Sequence, residues 1–328
     1  MAITRRSLLA AASCCAAAGL RPAAAETRWQ FATPYQDTNF HTRNARAFAE
    51  EVGKATSGAL QIQVFSNGTL LPMPQIKRGV QSGQVQLGEI LGSAYGNEDA
   101  MLEVDGIPQL VTTYEEARRL TDLAKPFIEA RFARQGMTVL YQVPWPPSGF
   151  YTNEKLTSLE QLKGAKLRTF NVMTNRFATL IGAVPTLVQA AEVPQAFATG
   201  VVSAMVTSAA TGVDTQAWDY AKVFTPVGFT FTRNIIFANR RALDALPADQ
   251  QKAVREAAAA AETRGWQLSA EARKQAQDTL AARGMAVEEP SPQLLAELKK
   301  VSDEIVKEWL TRAGEDGRKL IDAYRASA

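Results

Sequence analysis

The residue types that usually perform catalysis are scarce in this chain of 328 residues, which has a single histidine, His41. Histidine is the usual acid–base group near neutral pH, and His41 lies at the start of a predicted helix without a cysteine, histidine or nucleophile beside it. We therefore expect a surface or helix-start role for His41. The Gly-x-Ser-x-Gly, phosphate-loop and dinucleotide-binding motifs are absent from the sequence. These observations argue against a hydrolase, a kinase or a dehydrogenase, and they predict no catalytic residue and no cofactor.

The strongest candidate for binding chemistry is Arg168, which lies at the end of a predicted strand and is followed by Phe170 and Asn171 at a predicted helix start. In open α/β sheets, ligands gather at the carboxyl ends of the strands. A guanidinium matches the two oxygens of a carboxylate with parallel hydrogen bonds, and a helix N-terminus adds partial positive charge. By position alone, Arg168 is either an anion anchor or an ordinary surface arginine at a strand end.

Strand-like and helix-like periods alternate along the chain on both sides of this arginine. Predicted strands cover residues 29–33, 60–65, 85–91, 137–143, 150–153, 166–169, 203–207, 234–239 and 285–288. Predicted helices cover residues 40–56, 114–135, 174–181, 193–199, 213–220, 247–283, 292–309 and 318–325. Pro144, Pro146 and Pro147 interrupt the pattern and indicate a crossing between two lobes. The sequence predicts an α/β fold of two lobes, braced by the long helix, with Gly265 as a candidate kink.

The first 25 residues are typical of an export signal. Arg5 and Arg6 precede an apolar, uncharged stretch over residues 8–20, and small residues at the end of the segment suit signal cleavage. The paired arginines favour a twin-arginine signal over the general secretory route. A lipoprotein signal would use Cys14 or Cys15, but the usual leucine before the cysteine is missing. Cleavage after residue 25 would leave an exported chain without thiols, because these are the only cysteines.

The chain that remains after cleavage has a balanced charge. Removing the three arginines of the signal leaves 33 basic residues against 33 acidic ones. A nucleic-acid partner selects a strongly basic surface, so the composition argues against one. No later segment has the roughly 20 consecutive apolar residues that cross a membrane as a helix, so we expect no membrane-spanning segment.

Several segments that include Arg168 closely resemble a known family. The run Leu162-Lys163-Gly164-Ala165-Lys166-Leu167-Arg168 is similar to the Leu-Lys-Gly-x-Lys-x-Arg motif of the solute-binding subunits of tripartite ATP-independent periplasmic (TRAP) transporters, the DctP-type family. Further similar segments lie at residues 81–83, 107–108, 174–175, 182–186, 192–197, 199–202 and 246–251. Each is weak alone, but in order they cover essentially the whole mature chain. The family's arginine anchors the ligand carboxylate, so the resemblance implies that role for Arg168.

The resemblance also implies the architecture and the partners. It implies a periplasmic binding protein fold with residues 26–146 as lobe I, 147–233 as lobe II, and 234–328 as a returning segment that holds a hinge strand, the long helix and the C-terminal helices. It implies a periplasmic receptor that closes around a small organic acid and delivers it to TRAP membrane subunits, and that is not an enzyme. We expect a monomer. Because fold does not settle function, an enzyme or a sensor subunit on the same scaffold stays open as an alternative.

The sequence departs from the family at positions that bear on the ligand. Sialic-acid-binding members carry a second arginine where this chain has Pro147 or Ser148. Members that bind 2-oxo acids carry a Glu-Trp pair that helps to hold a cation, where this chain has Val206 and Thr207. The resemblance therefore implies one cationic anchor and no bound metal.

One cationic anchor suits a ligand with one carboxylate. We expect polar assistance to Arg168 from Thr207 and from groups near Asn171 and Gln142, with Ser148 at the place of the missing arginine. Large apolar side chains lie at or beside predicted strand ends, at Phe31, Tyr95, Trp145, Phe150, Phe170 and Met173. Aromatic walls favour a flat apolar ligand, although half of these residues could belong to the lobe cores. The expected ligand is an aromatic or apolar monocarboxylate, such as a 2-oxo or 2-hydroxy acid, with a C4-dicarboxylate or a sugar acid as the alternative.

Overall fold

The computed structural model describes residues 26–327, and the predicted export signal lies outside this range. The strands are β1 (Thr27–Ala32), β2 (Leu60–Phe65), β3 (Leu87–Leu91), β4 (Met137–Pro144), β5 (Ser148–Thr152), β6 (Lys166–Thr169), β7 (Val184–Leu187), β8 (Ala204–Ser208), β9 (Val223–Thr225), β10 (Arg233–Asn239) and β11 (Ala286–Val287). The helices are α1 (Phe40–Ala55), α2 (Met73–Ser82), α3 (Tyr114–Arg134), α4 (Val172–Leu180), α5 (Val193–Ala198), α6 (Ala209–Asp214), α7 (Arg240–Asp244), α8 (Ala248–Ala282) and α9 (Pro292–Ala326). Short 3-10 turns lie between several of these elements.

The first lobe contains a five-stranded sheet in the order β2-β1-β3-β10-β4. Strand β1 runs parallel to β2 and β3, whereas β10 is antiparallel to both β3 and β4. Phe48 of α1 packs against Phe31 and Tyr141, and Phe132 of α3 packs against Phe237. Because successive side chains of a strand point to opposite faces, these contacts fill the space between the sheet and its helices on both sides.

The second lobe contains a six-stranded sheet in the order β11-β9-β5-β8-β6-β7. Strand β6 is parallel to β7 and β8, and β5 is antiparallel to β8 and β9. Phe150 of β5 packs against Phe177 of α4 and against Phe229, with ring centroids 5.9 and 5.6 Å apart. The central strands β5 and β8 are buried along their whole length, so this lobe has its own core.

Two extended segments connect the lobes and lie side by side. The backbone N–H of Trp145 donates to the carbonyl oxygen of Thr232 at 2.7 Å, and that of Ser148 donates to the carbonyl oxygen of Thr230 at 3.0 Å. After the second crossing, β10 enters the first sheet between β3 and β4. These paired segments are the hinge strands of the fold. The lobe boundaries near residues 146 and 233 stay a prediction.

Helix α8 packs against elements of both lobes, α1 and β4 in the first and α6 and β11 in the second. The side-chain amide of Asn44 on α1 donates to the carbonyl oxygen of Ala261 at 2.9 Å. The helix runs unbroken through Gly265, and a Cβ atom there would come within 2.4 Å of Cγ2 of Val143 on β4. This glycine allows close packing of the bracing helix on the sheet. The predicted α/β fold with two lobes, hinge strands and a long bracing helix is confirmed.

Two helical segments differ from the sequence prediction. Helix α9 spans both of the helices predicted at residues 292–309 and 318–325, with a kink at Gly314, whose φ is 65°. The predicted helix at residues 213–220 is wrong, because α6 begins at Ala209 and a 3-10 turn covers Ala217–Asp219. The hydroxyl of Ser208 accepts from the N–H of Thr211 and so begins α6 earlier, while Gln216 adopts a φ of 53° and breaks the helix.

Within residues 26–327, no helix combines the length and the apolar composition needed to cross a membrane.

Candidate ligand-binding site

A small cavity lies between the two lobes beside the hinge strands. Its walls contain residues of both lobes: Tyr35, Met73, Leu91, Trp145, Ser148, Arg168, Phe170, Gln189, Ala190, Thr207, Ser208, Thr211 and Thr232. The volume is about 50 Å³. A cavity needs roughly 10–15 Å³ by this measure to hold one water molecule, so this one suits a compact ligand. None of these lining residues carries a carboxylate or an imidazole.

Arg168 supplies the cation of this cavity. It lies on β6, is 3% exposed, and its Nε–H donates to the carbonyl oxygen of Val188 at 3.0 Å. Its guanidinium lies 5.3 Å from the ring centroid of Phe170. Among the described residues Arg168 forms no ion pair with a carboxylate, and burial lowers the pKa of Arg168 to about 10, which leaves the group protonated at neutral pH. A buried cation without an anionic partner is costly, so this wall of the cavity is prepared for an anion.

Three aromatic side chains contribute to the apolar part of the wall. Tyr35 follows β1, and its ring lies 5.0 Å from that of Trp145 in an edge-to-face arrangement. Phe170 lies between β6 and α4 beside Arg168. Edge-to-face aromatic pairs prefer a defined geometry, which gives the cavity a fixed shape on this side.

Hydroxyl groups occupy much of the remaining wall. Thr207 and Ser208 end β8, Thr211 lies in the first turn of α6, and Ser148 begins β5 opposite Ser208 in the strand register. The fifth hydroxyl belongs to Thr232 on the second hinge strand. Hydroxyls both donate and accept hydrogen bonds, so they can bind the polar groups of a ligand.

Hydrogen bonds between the lobes close the molecule around this cavity. From the first lobe, the amide of Asn39 donates to Oδ2 of Asp214 on α6 at 2.6 Å, and the amide of Gln36 donates to the carbonyl oxygen of the same residue at 2.9 Å. Elsewhere, the amide of Asn171 on the second lobe donates to Oγ of Ser93 on the first lobe at 2.9 Å. The described conformation is therefore a closed one.

Five of the ten residues predicted for the site line the cavity: Trp145, Ser148, Arg168, Phe170 and Thr207. The other five do not. Phe31 and Phe150 lie in the cores of the two lobes, each fully buried against other aromatic rings. Tyr95 lies behind the wall, where its hydroxyl donates to the carbonyl oxygen of Met73 at 2.5 Å.

The two amides among the predicted residues have other positions. The side-chain oxygen of Asn171 accepts from the N–H of Thr174 at the start of α4, and its amide nitrogen binds Ser93, so the whole group is used to connect the lobes. Gln142 is buried on β4, and neither atom of its side-chain amide has a hydrogen-bond partner in the described chain. Met173, also noted in the sequence, packs in the core.

Sequence reasoning missed most of the polar wall and part of the apolar one. Ser208 is the next residue after a predicted site residue, Thr207, and Thr211 lies four residues after it, and this proximity is the signal that could have identified them. Tyr35 follows the end of the first predicted strand and could have been found by the same strand-end argument. Thr232 and Gln189 carry no signal of their own.

His41 is buried in α1 and does not reach the cavity. It lies at the helix start as expected, but its ring is enclosed by Tyr35, Phe40 and Trp145 rather than exposed at the surface. Burial lowers the pKa of His41 well below its ordinary value, so the imidazole is neutral. Its Nδ1 lies 3.4 Å from Oε1 of Glu89, and with a neutral ring this contact is not an ion pair.

A closed cavity between two hinged α/β lobes, with a buried cation in its wall, is typical of a solute-binding protein. The chain belongs to the DctP family of bacterial extracellular solute-binding proteins, family 7, whose family model matches residues 31–312. The predicted resemblance to TRAP solute-binding subunits and their periplasmic binding protein fold is confirmed. A curated relative, the ectoine/5-hydroxyectoine-binding periplasmic protein UehA of Ruegeria pomeroyi, is 26% identical, and the match covers 97% of this chain and 95% of that protein.

Solved structures of the same class are similar over nearly the whole chain. DctP7 of Bordetella pertussis, an extracytoplasmic solute receptor binding pyroglutamic acid, is 47% identical with a TM-score of 0.90, and the match covers 91% of this chain and 99% of that one. A TRAP solute-binding protein from a marine metagenome, specific for pyroglutamate and solved with the co-purified ligand, is 35% identical with a TM-score of 0.89, and the match covers 92% of this chain and 99% of that one.

Proposed function

We propose that this protein is the periplasmic receptor of a TRAP transporter for a compact cyclic monocarboxylate of the pyroglutamate type. Pyroglutamate is a five-membered lactam with a single carboxylate. In this proposal the guanidinium of Arg168 holds the carboxylate, and the closed receptor delivers the acid to the membrane subunits. The protein itself carries out no chemical reaction.

The observation that carries the proposal is the charge of the cavity. Arg168 is 3% exposed and has no carboxylate partner in the described chain. Its remaining guanidinium N–H groups suit a two-oxygen acceptor, because the Nε–H is already donated to Val188. A single cation also suits a single carboxylate better than a dicarboxylate.

The remaining walls support a small ring with polar atoms. A lactam N–H and C=O need an acceptor and a donor, and the hydroxyls of Thr207, Ser208 and Thr232 can serve as either. The faces of Tyr35 and Trp145 can cover the ring carbons. The hydroxyl groups of the wall offer partners to the polar atoms of a lactam ring, whereas the aromatic acid that the sequence predicts would leave most of them unused. The pyroglutamate ligands of the two solved structures described above support the same choice.

The ligand is tested with protein that has been unfolded, freed of bound solute and refolded. Isothermal titration calorimetry then compares L-pyroglutamate and D-pyroglutamate with proline, benzoylformate, mandelate, succinate and glucuronate. A ligand that binds only the folded protein raises the free energy of unfolding by RT ln(1 + [L]/Kd). A free ligand concentration of about a thousand times Kd would therefore add about 4 kcal/mol. Mass spectrometry of the solute released from protein purified without refolding gives an independent identification.

The expected result is tight binding of pyroglutamate and weak or no binding of succinate and glucuronate. Tight binding of benzoylformate or mandelate instead would support the aromatic acid, and binding of succinate or glucuronate alone would refute the single-carboxylate proposal. Incubation of pyroglutamate with the protein, followed by NMR, tests the enzyme alternative, since ring opening would yield glutamate. Loss of pyroglutamate uptake when the gene is deleted separates transport from sensing.

A further inference from the structure

A chain of buried hydrogen bonds lies behind the aromatic wall of the cavity. The hydroxyl of Tyr35 and the indole N–H of Trp145 both donate to the same atom, Oδ1 of Asn234, at 3.0 and 2.9 Å. Asn234 lies on β10, is fully buried and does not line the cavity. One side-chain oxygen therefore connects two wall residues that come from separate segments of the chain.

The orientation of this amide is determined by a second buried group. The Nδ2 of Asn234 donates to Oε1 of Glu89 on β3 at 2.8 Å, while Oε2 of Glu89 accepts from the hydroxyl of Thr33 at 2.5 Å. The indole N–H of Trp145 can only donate, so the carbonyl oxygen of the amide must point toward the two rings and its NH₂ group toward Glu89. Removing either partner would leave buried polar groups unpaired, which is costly in a water-free interior.

We propose that Asn234, oriented by Glu89, is a positioning residue that sets the width of the cavity and thereby its preference for compact acids. Trp145 belongs to a hinge strand, whereas Tyr35 follows β1, so the shared acceptor adds a directional hydrogen-bonded link to the edge-to-face contact between the two rings. A wall that is fixed before binding lowers the entropic cost of binding a ligand that fits. The same wall excludes a ligand that would push the rings of Tyr35 and Trp145 apart. The inference rests on the proposed function only for the choice of pyroglutamate as the probe.

Buried polar side chains surround Glu89, so its protonation depends on the residue at position 234. Besides Asn234 and Thr33, the neutral ring of His41 lies 3.4 Å from Oε1, and the phenols of Tyr35 and Tyr141 are close enough to be affected by its charge. All of these side chains are buried, and burial raises the pKa of Glu89 to about 7. A second carboxyl at position 234 would therefore share a proton with Glu89 at low pH and repel it at high pH.

Three variants separate positioning from simple loss of packing. Asn234→Ala removes the shared acceptor, Asn234→Asp keeps the acceptor but loses the donor to Glu89, and Glu89→Gln combined with Asn234→Asp restores a donor and an acceptor in the reversed order. Asn239→Ala is the matched control, because Asn239 is a buried asparagine on the same strand that binds the carbonyl oxygen of Val80 away from the cavity. Each variant is titrated with pyroglutamate and mandelate by calorimetry.

Asn234→Ala should lower the ratio of pyroglutamate to mandelate affinity by about ten-fold, which is about 1.4 kcal/mol, whereas Asn239→Ala should leave the ratio unchanged. Asn234→Asp should bind pyroglutamate about ten-fold more weakly at about pH 8 than at about pH 5.5, because the two carboxylates repel when both are ionised. The combined variant should recover the affinity of the parent to within about three-fold and lose that pH dependence. A combined variant no better than Asn234→Asp, or an unchanged ratio in Asn234→Ala, would overturn the proposal.

A second readout needs no ligand. The indole N–H of Trp145, assigned in a ¹⁵N-correlation spectrum by its loss in Trp145→Phe, should shift when its acceptor is removed in Asn234→Ala and return in the combined variant. A resonance that stays in place in Asn234→Ala would also refute the positioning role. If the parent fails to bind pyroglutamate but the resonance behaves as expected, the proposed ligand is wrong and the positioning role is supported.

Discussion

Replacing Arg168 with methionine should separate ligand affinity from protein stability, because the two are expected to change in opposite directions. Burial lowers the pKa of Arg168 from its ordinary value of 12.5 to about 10. Since each pKa unit corresponds to about 1.4 kcal/mol, holding this charged group in the ligand-free protein costs about 3 kcal/mol. Methionine keeps the unbranched stem of arginine and carries no charge, so Arg168→Met removes that cost.

Part of this gain is offset by contacts that the arginine makes. The hydrogen bond to the carbonyl oxygen of Val188 and the contact with the ring of Phe170 are lost, at about 1 kcal/mol for the hydrogen bond and about 0.5–1 kcal/mol for the cation–π contact. The ligand-free variant should therefore be about 1 kcal/mol more stable than the parent, which raises Tm by about 2–4 °C. Binding should weaken by about 3–5 kcal/mol, or more than a hundred-fold in Kd, because a buried carboxylate is left without its cation.

Differential scanning calorimetry of the ligand-free proteins and calorimetric titration with pyroglutamate measure the two effects. Arg168→Lys should bind at an intermediate level, since it keeps the charge and loses the planar pair of donors. Arg176→Met is the control for surface charge, because Arg176 lies on α4 of the same lobe and pairs with Glu308. If Arg168→Met is several degrees less stable than the parent, the buried charge does not destabilise the ligand-free protein. If its Kd is unchanged, Arg168 does not bind the carboxylate.

Three further predictions concern other parts of the molecule. Burial raises the pKa of Glu89 from 4.5 to about 7, so between these pH values the folded protein keeps a proton that the unfolded chain releases. The free energy of unfolding should therefore fall as the pH rises from 4.5 to about 7. Glu89→Gln should remove this pH dependence, so the difference in free energy of unfolding between variant and parent should change by up to about 3 kcal/mol across the same pH range. Parallel pH profiles of the two proteins in urea unfolding would contradict this. Asp214→Ala removes the bond from Asn39 across the lobes and should speed ligand dissociation by about ten-fold in stopped-flow fluorescence, with an unchanged rate as the contrary result. Gly265→Ala should destabilise the fold by about 1–3 kcal/mol, and Val143→Ala should restore most of the loss if the clash at 2.4 Å is the cause.

The alternation of strand and helix signals was sufficient to predict the architecture. Three local patterns carried this prediction: the alternating strand β2, the continuous apolar run of β10 and the long run of helix-forming residues in α8. Such patterns survive in any tertiary context that buries the apolar residues. The sequence also places Arg168 at the carboxyl end of a strand, where this class of sheet binds ligands. The sequence prediction failed at α6. The bounds of this helix depend on the cap from Ser208 and on the left-handed backbone conformation of Gln216, which are weak signals in a single sequence.

Only the tertiary structure decided which side chains near the strand ends reach the cavity. Phe31 and Tyr35 lie four residues apart, yet one packs in the core and the other lines the cavity, because the first belongs to a strand face covered by α1. Phe150 and Ser148 share a face of β5, and only the end of the strand extends beyond the core toward the other lobe.

The polar network behind the wall was equally invisible in the sequence. Glu89, Trp145 and Asn234 belong to three distant segments, and they meet because β10 returns from the second lobe to lie between β3 and β4. A hydrogen bond between such residues depends on strand order and register, which no local period encodes. Residue types and spacing thus predicted an anion site at Arg168, whereas the return of the chain through the hinge determined the shape of the cavity that Arg168 lines.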